Sequence, residues 1–174
     1  MSADGAELPV GETGELWIRG PNVSPGYWEN DVAANEAFAD GFWRSGDIGS
    51  RDEEGRLYIH DRLKDMITRG GFKVFSAEVE NALMAHPDVA DCAVFGVPDS
   101  VLGERTVAQI MLKTDDEIDG DALLAFLTDR IADYKLPDFW RLGRDPLPRN
   151  QNGKLQKAVL RDAMLAEQAP RDTS

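Results

Sequence analysis

The sequence predicts an α+β fold in two parts, a β-rich first part and a small second α+β domain of about three strands with three helices. Three observations predict it. Residues 1–61 carry 13 acids against 4 bases, whereas residues 62–174 carry 19 against 15, so the charge balance changes along the chain. Short alternating segments and turn signals fill the first part, and helical periodicity becomes regular only after residue 64. A length of 174 residues suits one ordinary domain or two small ones.

In the first part, "GELWIRG" alternates apolar and polar residues as a strand does. "DVAANEAF" reads as a brief helix with Asp31 as its cap. "GFWRSGDIGSRDEEGRLYIHDR" reads as a hairpin with "DEEG" as its turn. These strands are few and rich in edges, so residues 1–63 are expected to be marginal alone and to be completed by sequence upstream. Apolar edge at Leu16 and Ile18 makes self-association of the chain an expectation.

In the second part, Ser76 is placed as the N-cap of a helix with Val79, Leu83 and Met84 on one face. "VADCAVFGVP" reads as a buried strand ended by Pro98, and "TVAQIMLK" as an alternating one. "DGDALLAFLTDRIADY" has Leu123, Phe126, Leu127 and Ile131 at helical spacing. "KLPDFWRL" is a short strand and "LQKAVLRDAMLAEQ" a last helix. The expected division is residues 1–63, residues 64–168 and a disordered tail, residues 169–174.

Composition excludes several classes. A net charge of -13 argues against nucleic acid as partner. The apolar runs fall far short of the ~20 residues a membrane helix needs, so no transmembrane segment is expected. "MSADGAELPV" has neither a basic leader nor an apolar stretch, which points to the cytoplasm. The single cysteine, Cys92, excludes an internal disulfide and reads as a small buried apolar residue. His60 and His86 have no ligand partners nearby, so no metal site is expected.

Four local signals stand in chain order, of which "VFGVPDSVLGE" reads simply as a strand followed by a Pro-Asp turn. "RSGDIG" sets Asp47 beside Gly46 at a strand end, where an aspartate ordinarily caps a turn. "DRLKDMITRGGFKVFSAEVE" puts Gly70 and Gly71 between a short strand and a helix; such a pair ordinarily supplies positive φ, and its spacing matches neither nucleotide-binding fingerprint. "PLPRNQNGK" carries Gly153 and Lys154 on a polar loop. Around it, residues 141–161 hold six bases and one acid, Asp145, a local basic site in an acidic chain, where a lysine is ordinarily only solvated and the other bases offset neighbouring acids.

In this order and spacing, "GETGELWIRGPNVSPGYWEN", "DGFWRSGDIG", "GRLYIHDRLKDMITRGGFKVFSAEVE", "VADCAVFGVPDSVLGE" and "YKLPDFWRLGRDPLPRNQNGKLQK" resemble the C-terminal part of the adenylate-forming superfamily. The resemblance covers nearly the whole chain. "FGVPDSVLGE" and "LPRNQNGKLQK" look more like acyl-CoA synthetases than like peptide-synthetase adenylation domains. It implies the C-terminal portion of an ATP-dependent acyl-CoA synthetase, inactive alone, whose phosphate loop and acyl pocket lie in a missing N-terminal domain. The implied chemistry has two steps: a carboxylic acid and ATP with Mg²⁺ give acyl-AMP and pyrophosphate, then CoA displaces AMP. The Mg²⁺ ligands are expected outside these residues.

The resemblance also implies roles. Asp47 would accept hydrogen bonds from the ATP ribose, a task suited to an acceptor-only carboxylate, and Arg62 would touch the nucleotide through its planar fork. Lys64 matches a hinge position. Gly70 and Gly71 would line the tunnel for the pantetheine arm of CoA, and Lys154 would be the catalytic lysine of adenylation. Ser76 stands where the family usually has proline, and Thr68 where some relatives have a phosphate-contacting lysine, a contact that Lys73 or Arg69 would then supply. Two alternatives are a carrier-protein-acylating or luciferase-like enzyme, and an interaction domain that has lost the chemistry.

Overall fold

The structure, a computed structural model, describes residues 1–2, 4–113 and 118–168. The predicted disordered tail, residues 169–174, lies outside the described residues. The chain divides into two units, Met1–Lys64 and Asp65–Ser174.

The first unit is a four-stranded antiparallel sheet built on one long strand. β1 (Gly14–Ile18) precedes a short helix α1 (Asp31–Ala37), which runs directly into β2 (Phe38–Ala39); β3 (Phe42–Arg51) and β4 (Leu57–Arg62) follow. β3 pairs with β1 along one side, and with β2 and β4 at the two ends of the other. The β3–β4 turn is the predicted "DEEG", closed by the Asp52 carboxylate on the Arg56 amide at 2.8 Å. The cap of α1 is Asn30, whose side chain accepts from the Ala33 amide at 3.1 Å, so Asp31 sits inside the first turn instead. Of the two residues expected to show apolar edge, Ile18 is exposed and Leu16 is half-buried.

The second unit has three helices and a five-stranded sheet of two long strands, one of five residues and a short hairpin. β5 (Ile67–Arg69) and β6 (Phe72–Val74) form that hairpin, α2 (Ser76–Met84) follows, and β7 (Val89–Asp99) and β8 (Gly103–Leu112) pair along their full lengths. α3 (Gly120–Thr128) and a 3₁₀ turn (Asp133–Lys135) lead to β9 (Phe139–Gly143), which joins β8 in parallel, and α4 (Lys157–Gln168) ends the unit. β5 and β6 are three residues each, too short for alternation to reveal them.

Both faces of the β7–β8 hairpin are buried. Cys92, Val94, Ala108 and Ile110 pack with Val79 and Leu83 of α2 and Leu123 and Leu127 of α3. Ala93, Phe95, Val97 and Val107 pack on the opposite face with Leu147 and with Leu160 and Met164 of α4. A strand covered on both sides reads as a continuous apolar run, which explains "VADCAVFGV". Burial pushes the Cys92 thiol up to about 12, so it is an inert core group.

Four expectations change here. The N-cap of α2 is Phe75, which makes no side-chain cap, because Ser76 is wholly buried with its hydroxyl accepting from Lys157 Nζ at 2.7 Å. Met84 is 46% exposed, so the buried face of α2 is Ser76, Val79 and Leu83. Strand β7 runs through Pro98 to Asp99; it lies at the sheet edge, where a missing ladder donor is tolerated. Helix α3 stops at Thr128, whose hydroxyl donates to the Leu124 carbonyl, and the chain re-forms only the 3₁₀ turn before Pro137. Among the described residues, no helix is long and apolar enough to cross a membrane.

The turn closing β7 onto β8 is organised by Asp99. Its Oδ1 accepts the Leu102 amide at 2.8 Å and the Val101 amide at 2.9 Å, and its Oδ2 accepts from Arg105 Nε at 2.6 Å. The amide bonds foremost, then the guanidinium, hold this carboxyl at about 2, below its ordinary 3.8. A carboxyl depressed in the folded state stabilises above its ordinary range and loses that contribution as pH falls through the folded value. The stability of the second unit should therefore decline as pH drops from 3.8 to about 2, less steeply in Asp99→Asn; equal pH slopes in urea unfolding would remove Asp99 as a source. The register of α2 is tested separately. Leu83→Ala should cost about 2–5 kcal/mol by leaving a cavity, and Met84→Ala no more than about 0.5 kcal/mol, read from hydrogen exchange of the β7 amides.

Candidate active site

Asp47 is presented by a bulge. Between the pairs Glu15↔Ile48 and Trp17↔Arg44, Leu16 of β1 faces three residues of β3, namely Ser45, Gly46 and Asp47. Bulges re-aim side chains and concentrate beside sites. Gly46 takes φ 70°, open to glycine and strained for other residues. The bulge is pinned from below by buried Glu15, whose Oε1 accepts the Gly46 amide at 3.2 Å while Oε2 accepts from Trp17 and Arg44. Ser45 adds a second tie: its hydroxyl donates to the Leu16 carbonyl and accepts from the Asp47 amide at 3.0 Å.

Arg62 is the direct cross-strand partner of Asp47. Its Nε lies 2.8 Å from Asp47 Oδ1, and its Nη1 donates to the Ser45 carbonyl at 3.3 Å. The guanidinium is 47% exposed, so the pair is worth about 0–1 kcal/mol and is readily exchanged for other partners. Gly46, Arg62, Leu63 and Lys64 line a shallow cleft beside it, and Lys64 is exposed at the end of the first unit.

In the second unit, Gly70 and Gly71 are the two-residue turn of the β5–β6 hairpin, with φ 57° and 85°. Positive φ at both central residues is what a tight hairpin turn demands. A Cβ added at Gly71 would meet nothing within 4 Å, so the backbone conformation by itself accounts for this glycine. The hairpin is braced on two sides. The Gly70 amide donates to the Leu102 carbonyl at 2.8 Å, next to the Asp99 turn. Arg69 makes a bidentate bridge to Asp138 at 2.7 and 3.0 Å; that carboxylate also accepts the Thr106 amide at 2.9 Å. Burial raises the Asp138 carboxyl, but the bonds from Arg69 and Thr106 outweigh it and hold it below the ordinary range. Arg69 is thus engaged structurally, whereas Thr68 and Lys73 have exposed side chains.

Lys154 sits on a miniature hairpin closed by the bridge Arg149↔Leu155. The Asn150 amide donates to the Lys154 carbonyl and the Gly153 amide to the Asn150 carbonyl, both at 2.9 Å. Asn150 Oδ1 accepts the amides of Asn152 and Lys154 at 3.0 and 2.9 Å. Gly153 takes φ 76°. The surrounding bases are largely neutralised: Arg141 by Glu167, Arg149 by Asp91, and Lys157 by Glu80, each with a contact of 2.6 or 2.7 Å. The Lys154 ammonium is exposed and has no hydrogen bond or ion pair among the described residues.

The structure therefore brings Asp47, Arg62 and Lys64 together in the first unit, and holds Gly70, Gly71 and Lys154 on two separate turns of the second. The supports in Glu15, Asp138 and Asn150 escape sequence reasoning. Asn150 has a local signal, an amide side chain four residues before Lys154, but Asp138 meets a partner 69 residues away and carries none. Among the described residues, no group of three or more His, Cys, Asp or Glu side chains could hold a metal ion.

Residues 78–154 match the AMP-binding enzyme C-terminal domain family, a match that ends on Lys154. Feruloyl-CoA synthase of an Amycolatopsis species is 44% identical over 157 residues, covering 90% of this chain and 32% of that protein. The 2-succinylbenzoate–CoA ligase of Bacillus licheniformis is 40% identical over 160 residues, covering 92% of this chain and 33% of that protein. The ATP-bound structure of MatB from Rhodopseudomonas palustris superposes with a TM-score of 0.84 at 38% identity, covering 92% of this chain and 32% of that one. The chain thus spans about a third of the length of the relatives it matches. Residues 78–154 thus match the AMP-binding enzyme C-terminal domain family, and the chain that carries them is similar to the C-terminal third of CoA synthetases and ligases.

Proposed function

We propose that this chain forms the C-terminal part of a cytoplasmic, AMP-forming acyl-CoA synthetase and supplies the lysine of its first step and the glycine turn of its second. The observation that carries the proposal is the Lys154 turn: an ordered backbone presenting one uncompensated ammonium, within the segment that matches the AMP-binding enzyme family. In the first step a carboxylate oxygen of the acid attacks the α-phosphorus of ATP, and the bond to pyrophosphate breaks. Negative charge builds on the oxygens in flight, where a positioned cation is worth most. Lys154 supplies it. Asp47 holds the ribose hydroxyls, exchanging its exposed bridge to Arg62 for them, and Arg62 turns its fork to the nucleotide. In the second step the CoA thiolate attacks the acyl carbonyl and AMP leaves, with Gly70 and Gly71 lining the pantetheine path. Lys64 is the hinge that lets one small domain serve both steps. Mg²⁺, when bound, would neutralise triphosphate charge, and its ligands would lie outside the described residues.

The phosphate loop and acyl pocket lie in a partner N-terminal domain. This chain alone should release no pyrophosphate from ATP with carboxylic acids and CoA, and robust turnover would refute the assignment. In the whole enzyme, Lys154→Ala should lower adenylation by roughly 10²–10³-fold and spare thioester formation from preformed acyl-AMP. Gly71 requires a different choice of variant, because leucine at φ 85° strains the turn as well as filling the path. Gly71→Asn keeps the turn, since asparagine tolerates the left-handed region. It should leave pyrophosphate release intact and slow thioester formation; equal loss of both steps would withdraw the role of this turn.

A further inference from the structure

We propose that Arg149 is a positioning residue for Lys154, acting as a clasp on the backbone from which the lysine projects. The inference rests on the adenylation role proposed above for Lys154. Within the 149–155 hairpin, the amides of Asn152 and Lys154 are taken by the Asn150 side chain, and the Gly153 amide and the Lys154 carbonyl by the Asn150 backbone. The Gly153 carbonyl, adjoining Lys154 in the chain, is satisfied from outside the turn's own backbone. Arg149 Nη1 donates to it at 2.9 Å. The other arm, Nη2, reaches Asp91 Oδ2 on β7 at 2.6 Å, across 58 residues of sequence.

One planar fork thus ties the peptide bond preceding Lys154 to a strand buried on both faces. A two-armed guanidinium makes both contacts at once, which a lysine, with a single ammonium on a flexible stem, does not reproduce. Such a tie matters because only a cation already in place stabilises charge as it develops, and a misplacement of about 1 Å can cost on the order of 10²-fold in rate. Simple neutralisation of Asp91 would need the Nη2 arm alone. The geometry shows both arms engaged. Arg149 is also 44% exposed and Asp91 26%, and the Cys92 amide stays on Asp91 Oδ1, so removing the arginine strands no deeply buried charge.

The test uses the whole enzyme, measuring pyrophosphate release from acid and ATP, and separately thioester formation from preformed acyl-AMP and CoA. Arg149→Ala should reduce the first by roughly 10- to 100-fold through kcat and leave the second at the parent rate. Arg149→Lys should rescue little. The swapped pair Asp91→Arg with Arg149→Asp restores an ion pair but gives Gly153 no donor from position 149, so adenylation should stay low; recovery would mean that charge balance is all that matters, and would overturn the clasp. In the present chain, hydrogen exchange at the amides of Asn152, Gly153 and Lys154 should quicken in Arg149→Ala while the β7 amides keep their protection. Equal loss of both half-reactions, with lost β7 protection, would show general destabilisation and overturn the proposal. Lys154→Ala run in parallel separates the two readings. If it adenylates normally, the role of Lys154 falls and the clasp with it; if it is deficient while Arg149→Ala adenylates at the parent rate, the clasp alone falls.

Discussion

The second unit depends on one constraint: its central hairpin, β7 with β8, is apolar on both faces, so each face must be covered. Val94 and Ile110 need α2 and α3; Phe95 and Val107 need α4 and the segment around Leu147. Covering both faces fixes where the chain crosses the sheet. It also sets which turns are left outside. The β5–β6 hairpin meets the first residue of β8, at the β7–β8 turn, through the pair Arg69↔Gly103, and the segment from β9 to α4 must dock Leu147 before the chain is free to turn at residues 150–153. The glycine turn and the Lys154 turn are the pieces that remain once the apolar surface has been assigned.

Pieces outside a core lack apolar burial to hold them, and here polar ties substitute for it. Asp99 binds two amides in its own turn, Asp138 joins the arginine before Gly70 to the amide of Thr106, and Asn150 with Arg149 closes the turn of Lys154. In the first unit Glu15 does the same for the bulge below Asp47. Each is a side-chain acceptor or donor meeting backbone that no helix or ladder satisfies, and such groups would otherwise depend on water. At the 149–155 turn this arrangement orders the backbone while leaving the Lys154 ammonium unengaged among the described residues.

Much of the framework is legible in the sequence because its causes are local or periodic. The "DEEG" turn and the helical spacing of Leu123 and Leu127 each specify an element by themselves. The misreadings share a different cause. Ser76 is a good N-cap by type, but Lys157 arrives from 81 residues away to bind its hydroxyl, and burial at the first turn overrides the capping preference. Pro98 ends many strands; at a sheet edge it need not. Met84 lies next to Leu83 in sequence yet is exposed, because it is the last residue of α2 and falls outside the buried face of Ser76, Val79 and Leu83. Of the site, the residue types at positions 47, 62, 70, 71 and 154 are visible in short motifs, whereas Asp138 and the second arm of Arg149 are invisible because their partners are brought near only by the fold.

The charge distribution around Lys154 follows from the same logic. A cation that is to meet a transient anion gains most if no permanent counter-charge competes for it, yet five other bases lie within residues 141–161. Left uncompensated they would spread the positive field and attract the chain's many carboxylates to the loop. Glu167, Asp91 and Glu80 answer three of them from α4, β7 and α2, and in doing so anchor α4 and the turn to the sheet. Neutralisation and anchoring are thus one set of contacts. What survives at the tip is the Lys154 ammonium, without a counter-charge among the described residues, on a backbone held by Asn150 and Arg149.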